Sequence, residues 1–247
     1  MENSIYAGLS RQSALQEQMD VIANNIANLN TPGYRAQNMV FTQYLADPRK
    51  IDPSKKGDPL AMILDYGQFQ STNPGPLQQT GSPLDVALQG PGYMGVSTPG
   101  GVMYTRAGNF RLNNAGDLVT GGGLKVAGAG GSAITIPKDA KEIHIAQDGS
   151  VVTDQGQLGK IMLVEFNNIQ DLEAQGNGLY KTGPRTQTLP AQNTTMVQGM
   201  LEGSNVQPVL EMTRMIDVSR AYQQTQNMLQ GEHDRIKAMI ERLLKLG

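Results

Sequence analysis

Residues 5–35, "IYAGLSRQSALQEQMDVIANNIANLNTPGYR", decide how the chain is read. Up to Leu29 they carry a seven-residue pattern whose core positions are Ile5, Gly8, Gln12, Leu15, Met19, Ile22, Ile26 and Leu29, separated by alternating steps of three and four. That spacing keeps one seam of a helix turned toward a partner helix. Such a helix would be roughly 40 Å long at about 1.5 Å per residue. Asn24, Asn25, Asn28 and Asn30 then crowd its end. Asparagine is a mediocre helix former because its amide competes for backbone hydrogen bonds, so this density needs a local or an intermolecular reason. Asn24, Asn25 and Asn28 flank Ile22, Ile26 and Leu29, where an amide that both donates and accepts can set register across helices. The plainer reading, that Asn28 and Asn30 cap a fraying end, stands beside it. Thr31-Pro32-Gly33-Tyr34 has the composition of a type II turn, with Pro32 presetting φ at the second position and Gly33 supplying a positive φ at the third. The turn is expected to redirect the chain, with Tyr34 and Arg35 gripping neighbouring copies; a loose helix stop is the simpler alternative.

The same spacing returns at the other end of the chain, at Met212, Met215, Ser219, Tyr222, Gln226, Leu229, His233, Ile236, Ile240 and Leu243. Asn205 is placed to cap this second helix, and Pro208 suits its first turn, where a missing N–H costs least. The middle has another texture. Residues 38–76 are rich in Pro, Gly and charge ("LADPRKIDPSKKGDP"), which predicts an extended, adaptable arm. From residue 77 to 199 short β-like runs alternate with turns, and Asp148-Gly149, between Ile143, Ile145 and Val151, signals a hairpin with a type I′ turn. The fold class expected is α+β: long N- and C-terminal helices pairing as a coiled coil around a turn-rich, all-β central body. Its domains would be 1–30 with 205–247, an arm at 31–76 and a body at 77–204.

Composition narrows function. The net charge is −2 with 20 Lys and Arg against 22 Asp and Glu, so no basic field is present to hold nucleic acid. There is no cysteine, which excludes disulfides, thiolate catalysis and Cys-ligated zinc. The first twenty residues carry neither a basic leader nor an apolar h-region, so the general secretory route is not signalled. Of the two histidines, His144 lies in an alternating strand pattern and reads as solvent-facing, while His233 falls at a heptad core position, where a polar residue sets register more often than it binds metal. No ligand pair has zinc spacing, and no nucleophile elbow accompanies either histidine. "GAGG" at 128–131 lacks the helix and lysine of a phosphate loop and reads as a turn. Asp85, Asp117, Asp148 and Asp154 sit beside turn residues, where carboxylates cap their own backbone. No catalytic, cofactor-binding or metal-binding residue is assigned, and no small-molecule substrate or nucleic acid is expected.

"MDVIANNIANLNTPGYR" (19–35), "PLQQTGSPLDVALQGPGYMGV" (76–96), "YTRAGNFRLNNAGDLVTGGG" (104–123) and "LEGSNVQPVLEMTRMIDVSRAYQQTQNMLQ" (201–230) together resemble the flagellar basal-body rod and hook protein family. Within it, the length and the arm look most like proximal rod members, with distal rod and other axial members as the alternative. The resemblance implies a non-enzymatic subunit of the drive shaft that crosses the periplasm, exported unfolded and without a cleaved signal peptide by the flagellar type III apparatus. It also implies polymerisation with itself and with other rod proteins, through a tube-lining domain built from both chain ends. Tyr93-Met94 departs from the pair of phenylalanines common in the family. On this reading the helix-packing and subunit-interface residues are Ile5, Leu15, Met19, Ile22, Asn24, Asn25, Ile26, Asn28, Leu29, Met212, Met215, Tyr222, Leu229, Ile236, Ile240 and Leu243. The turn and arm residues are Thr31, Pro32, Gly33, Tyr34 and Arg35, and Asn205 is the cap. A reading of another class, a surface adhesin trimerised by terminal coiled coils, predicts closed trimers where a rod protein predicts open filaments.

Overall fold

The computed structural model describes residues 2–46 and 60–244. The chain divides into two units, one of residues 1–27, 37–69 and 207–247, the other of 28–36 and 70–206.

The first unit contains helix α1 (Glu2–Ala27) and helix α2 (Pro208–Leu244). They run antiparallel. Gly8 lies against Leu229, where an added Cβ would come within 2.7 Å of Leu229 Cδ2, so the missing side chain is what lets the helices approach. Further along, Gln12 Nε2 donates to the Tyr222 hydroxyl at 2.9 Å, and Asn25 Nδ2 reaches Glu211 Oε2 at 3.4 Å. On α1, Gly8, Ile22 and Asn25 are buried, and Ile5, Leu15, Met19 and Ile26 are half-buried. Leu29 lies past the helix end, and the side chain of Leu243 is outside the described residues.

On α2 the inward face runs Glu211, Met215, Val218, Tyr222, Thr225, Leu229, Glu232 and Ile236, an unbroken alternation of four and three. Of the expected seam, Met215, Tyr222, Leu229 and Ile236 lie on this face, and between them it is filled by the residue one position earlier than expected. Met212 and Ile240 are 51% and 52% exposed, and Gln226 and His233 are exposed with them. Apolarity alone selects Met212 over Glu211, but the protein makes the polar seats tolerable. Glu211 Oε1 accepts from Arg214 Nη1 at 2.8 Å, and Thr225 Oγ1 donates to the Ala221 carbonyl at 2.9 Å. A buried polar group costs little once its hydrogen bonds are made.

The arm expected at 31–76 has more regular structure than its composition suggested. Gln37–Ala46 and Leu60–Gln70 are strands paired as a two-stranded sheet. Residues 37–69 cluster with the helices, while 31–36 and 70–76 belong to the other unit. Residues 47–59, which hold most of the Pro, Lys and Asp that drove the expectation, lie outside the described residues.

The second unit is strand-rich. Tyr93–Thr98 pairs antiparallel with Gly101–Thr105, and further strands extend this pair into a nine-stranded sheet. Ile143–Ile145, Ser150–Thr153 and Gly156–Lys160 form a meander, and Val86–Gln89 pairs with Thr195–Gln198. Side chains alternate across a strand, so Tyr93 and Met94 enter two different cores. Met94 joins Val86, Leu88, Leu118, Val126, Ile136, Ile161 and Met196 in the main one. Tyr93 joins Phe166 and Tyr180, its ring 5.3 Å and 5.7 Å from theirs. The departure from two phenylalanines therefore leaves an aromatic cluster in place. The hairpin at Asp148-Gly149 exists, but its turn is not type I′: Gly149 has φ +87° and Asp148 does not share the positive φ. Gly149 N donates to Ala146 O at 2.9 Å, and the Asp148 carboxylate accepts from Ser150 N and Oγ instead. Asparagine or aspartate at a turn can cap the following backbone without entering the left-handed region.

Candidate functional site

The turn that ends the opening stretch leads directly to a buried charge cluster. Tyr34 N donates to Thr31 O at 3.2 Å and Gly33 has φ +68°, the arrangement of a type II turn. Thr31 N and Oγ1 donate back to Asn28 O and Oδ1, so Asn28 closes the turn locally. Gly33 is required twice over. Its φ is unfavourable to an L side chain, and an added Cβ would stand 2.5 Å from Arg106 C and 2.7 Å from Arg106 O. Its N–H donates to the Glu202 carbonyl at 2.8 Å.

Glu202, on the strand Met200–Glu202, is 2% exposed and is the centre of the cluster. Its Oε1 takes Arg35 Nη2 at 3.0 Å and Gly75 N at 3.1 Å; its Oε2 takes Arg106 Nε at 2.8 Å and Nη2 at 2.7 Å. Two arginines against one carboxylate leave an excess positive charge, which backbone carbonyls absorb. Arg106 Nη1 donates to Gly90 O and Gly92 O, and Arg35 Nη1 to Thr72 O and Asn73 O. Arg106 also stacks over the Tyr93 ring at 5.5 Å. Burial lowers the Arg35 pKa, and the neighbouring Arg106 lowers it further while Glu202 opposes both. Burial likewise raises the Tyr93 and Tyr180 phenols. The arrangement joins pieces of chain that are distant in sequence, at residues 35, 72–75, 90–92, 106 and 202.

Several expected residues stand elsewhere than the sequence suggested. Arg35 is 5% exposed and committed to Glu202, Thr72 and Asn73, and Tyr34 is buried, so neither is presented to a neighbour in the manner expected. Asn205 does not cap α2. Its Oδ1 accepts from Ala36 N at 2.7 Å, its Nδ2 donates to Asn73 O at 2.8 Å, and its own N–H reaches Tyr34 O, so it ties Tyr34 and Ala36 to Asn73. Gln207, directly before Pro208, accepts the first helical bond from Glu211 N instead. Asn25, buried in the helical unit, holds Gln37 with both ends of its amide: Oδ1 accepts Gln37 N at 2.9 Å and Nδ2 donates to Gln37 O at 2.8 Å. It thereby takes the place of a neighbouring strand where Gln37–Ala46 begins. Asn24 is exposed. Glu202 and Arg106 were not singled out from sequence. The available signal was a charge inside each of two strand-and-turn motifs, "YTRAGNF" and "LEGSNV", matched by the arginine of "TPGYR".

Comparison with known proteins gives these motifs a context. Three family profiles match: Flagella basal body rod protein at residues 5–35, Flagellar hook protein FlgE/F/G D1 domain at 87–153, and Flagellar basal body rod FlgEFG protein C-terminal at 197–242. The chain is 36% identical to flagellar basal-body rod protein FlgF of Caulobacter vibrioides over 248 residues, covering 100% of both chains. It is 33% identical to FlgF of Rhizobium meliloti, covering 98% of each, and 33% identical to FlgG of Bacillus subtilis, covering 97% of this chain and 98% of that one.

Proposed function

We propose that this chain, which belongs to the flagellar basal-body rod protein family and is a structural, FlgF-like subunit of the bacterial flagellar basal body, acts by burying its terminal helices among neighbouring axial subunits. On this reading α1 and α2 supercoil about each other as a tube-lining coiled coil. The same helices then make heterologous, non-closing contacts with other copies and other rod proteins, which propagate as a helical polymer. The subunit takes the proximal level of the rod as it crosses the periplasm, after export in an unfolded state through the flagellar type III apparatus.

The observation that carries this reading is the apolar surface that the helices leave uncovered in one chain. Tyr6 and Leu9 on α1, and Val209, Met212, Ile216 and Ile240 on α2, are each more than half exposed. Val209, Met212 and Ile216 fall at steps of three and four and so share a face. Covering such faces is worth roughly 1.5–3 kcal/mol per large side chain, repeated in every subunit. Ile216→Asp tests it, because Ile216 is exposed in the single chain and the change should leave monomer helicity and melting as in the parent. The expected result is loss of swimming when the variant replaces the parent in a strain lacking the gene, with the protein still exported. Normal motility and normal basal bodies would refute the packing role of this face.

A further inference from the structure

We propose that Glu202 is a completion latch: the segment 28–36 locks onto the strand-rich unit only when the last of the three charged residues arrives, and until then the two arginines hold the lock open. In chain order the cluster is Arg35, Arg106, Glu202, so during any N-to-C emergence both cations are present before the carboxylate. Closed, the lock brings both guanidiniums onto one buried carboxylate, at 3.0 Å and 2.7 Å. Without Glu202 the same closure would press two buried cations together with only carbonyl oxygens between them. Uncompensated buried charge is costly, and like charges at close range add repulsion. The other bonds of the seam, Gly33 N to Glu202 O, Ala36 N to Asn205 Oδ1 and Gly75 N to the Glu202 carboxylate, also depend on residues at or beyond 202. An incomplete chain therefore keeps 28–36 and 70–76 unlatched, whereas the main core, which ends at Met196, is already complete. The latch thus distinguishes a finished subunit from an unfinished one within a single chain, and it does so by charge and not by shape.

The test is residue-resolved hydrogen exchange on the full chain. In Glu202→Gln the amides of Gly33 and Ala36 should exchange about 100-fold faster or more, while core amides such as Leu118 and Ile161, bonded to Ile134 O and Gly149 O, keep their protection. Removing one cation should then relieve the defect, so that Arg35→Met with Glu202→Gln protects Gly33 better than Glu202→Gln alone. If the single variant does not fold, recovery of a folded chain in the double variant is the same result in stronger form. Unchanged protection at Gly33, an equal loss at every amide, or a double variant looser or less folded than the single one would each overturn the latch.

Discussion

Replacing Gly33 with alanine separates two costs that the structure assigns to one position. The first is conformational: φ is +68°, and an L residue held in the left-handed region loses about 1–2 kcal/mol. The second is steric. The new Cβ would lie 2.5 Å, 2.7 Å and 2.8 Å from Arg106 C, Arg106 O and Ala107 N, all backbone atoms beside a residue pinned by Glu202, Gly90 and Gly92. Overpacking against atoms that cannot turn aside costs about 1–3 kcal/mol. Gly33→Ala should therefore lose about 2–5 kcal/mol, and near 2–4 °C per kcal/mol its strand-rich unit should melt about 4–20 °C lower. Gly176→Ala is the control, since Gly176 has φ +81° with nothing within 4 Å of its added Cβ, and should lose only about 1–2 kcal/mol. The chain has no tryptophan, so near-ultraviolet circular dichroism of the cluster around Tyr93, Phe166 and Tyr180 reports the transition. Equal losses in the two variants, within about 0.5 kcal/mol, would show that the turn is not pressed against Arg106.

Asn25→Asp keeps the acceptor for Gln37 N but removes the donor to Gln37 O and brings a carboxylate near Glu211, so the helical unit should weaken by about 1–3 kcal/mol at neutral pH and recover partly on acidification, read by urea titration. No weakening at neutral pH would remove Asn25 from its place at the start of the strand Gln37–Ala46. Asp117 and Asp148 are held at about 2 in the folded chain, below the ordinary 3.8. For Asp117 the causes are bonds from Lys125, Thr135 and Asn113; for Asp148 they are bonds from Ser150 and Lys160. A folded pKa below the unfolded one means stability present above about pH 4 and lost as pH falls toward 2. Melting of the strand-rich unit should decline across that window and decline less in Asp117→Asn with Asp148→Asn; an identical slope would show that these carboxylates do not govern it.

Periodicity made the helices legible because a seam is a property of spacing, which the sequence displays directly. Met215, Tyr222, Leu229 and Ile236 lie on the inward face, and at the alternate positions Glu211 and Thr225 turn inward with partners of their own where the pattern had Met212 and Gln226. A hydrophobic pattern cannot see a satisfied polar group. The strands Gln37–Ala46 and Leu60–Gln70 were hidden by the composition of the segment between them. The turn at Thr31–Tyr34 was legible to its type, because Pro and Gly fix φ without reference to anything distant. Its consequence was not, because nothing in Thr31–Tyr34 says that the backbone of Arg106 stands against Gly33. The cluster itself was illegible for the same reason. Arg35, Arg106 and Glu202 are far apart in sequence, and nothing local to any of them says that it is buried.

Breaking a buried ion pair by removing one partner costs about 3–5 kcal/mol, because the other charge is left buried and uncompensated. The neutral bonds at Gly33, Ala36 and Asn205 each add about 0.5–1.5 kcal/mol. With Glu202 the charges favour the closed segment; without it, the neutral bonds are left to hold the segment against the stranded arginines, which tip the balance toward open. A hub of two arginines on one glutamate therefore gives a sharper response to the loss of a single residue than an apolar contact of equal strength would, because removing the glutamate both deletes attraction and exposes repulsion.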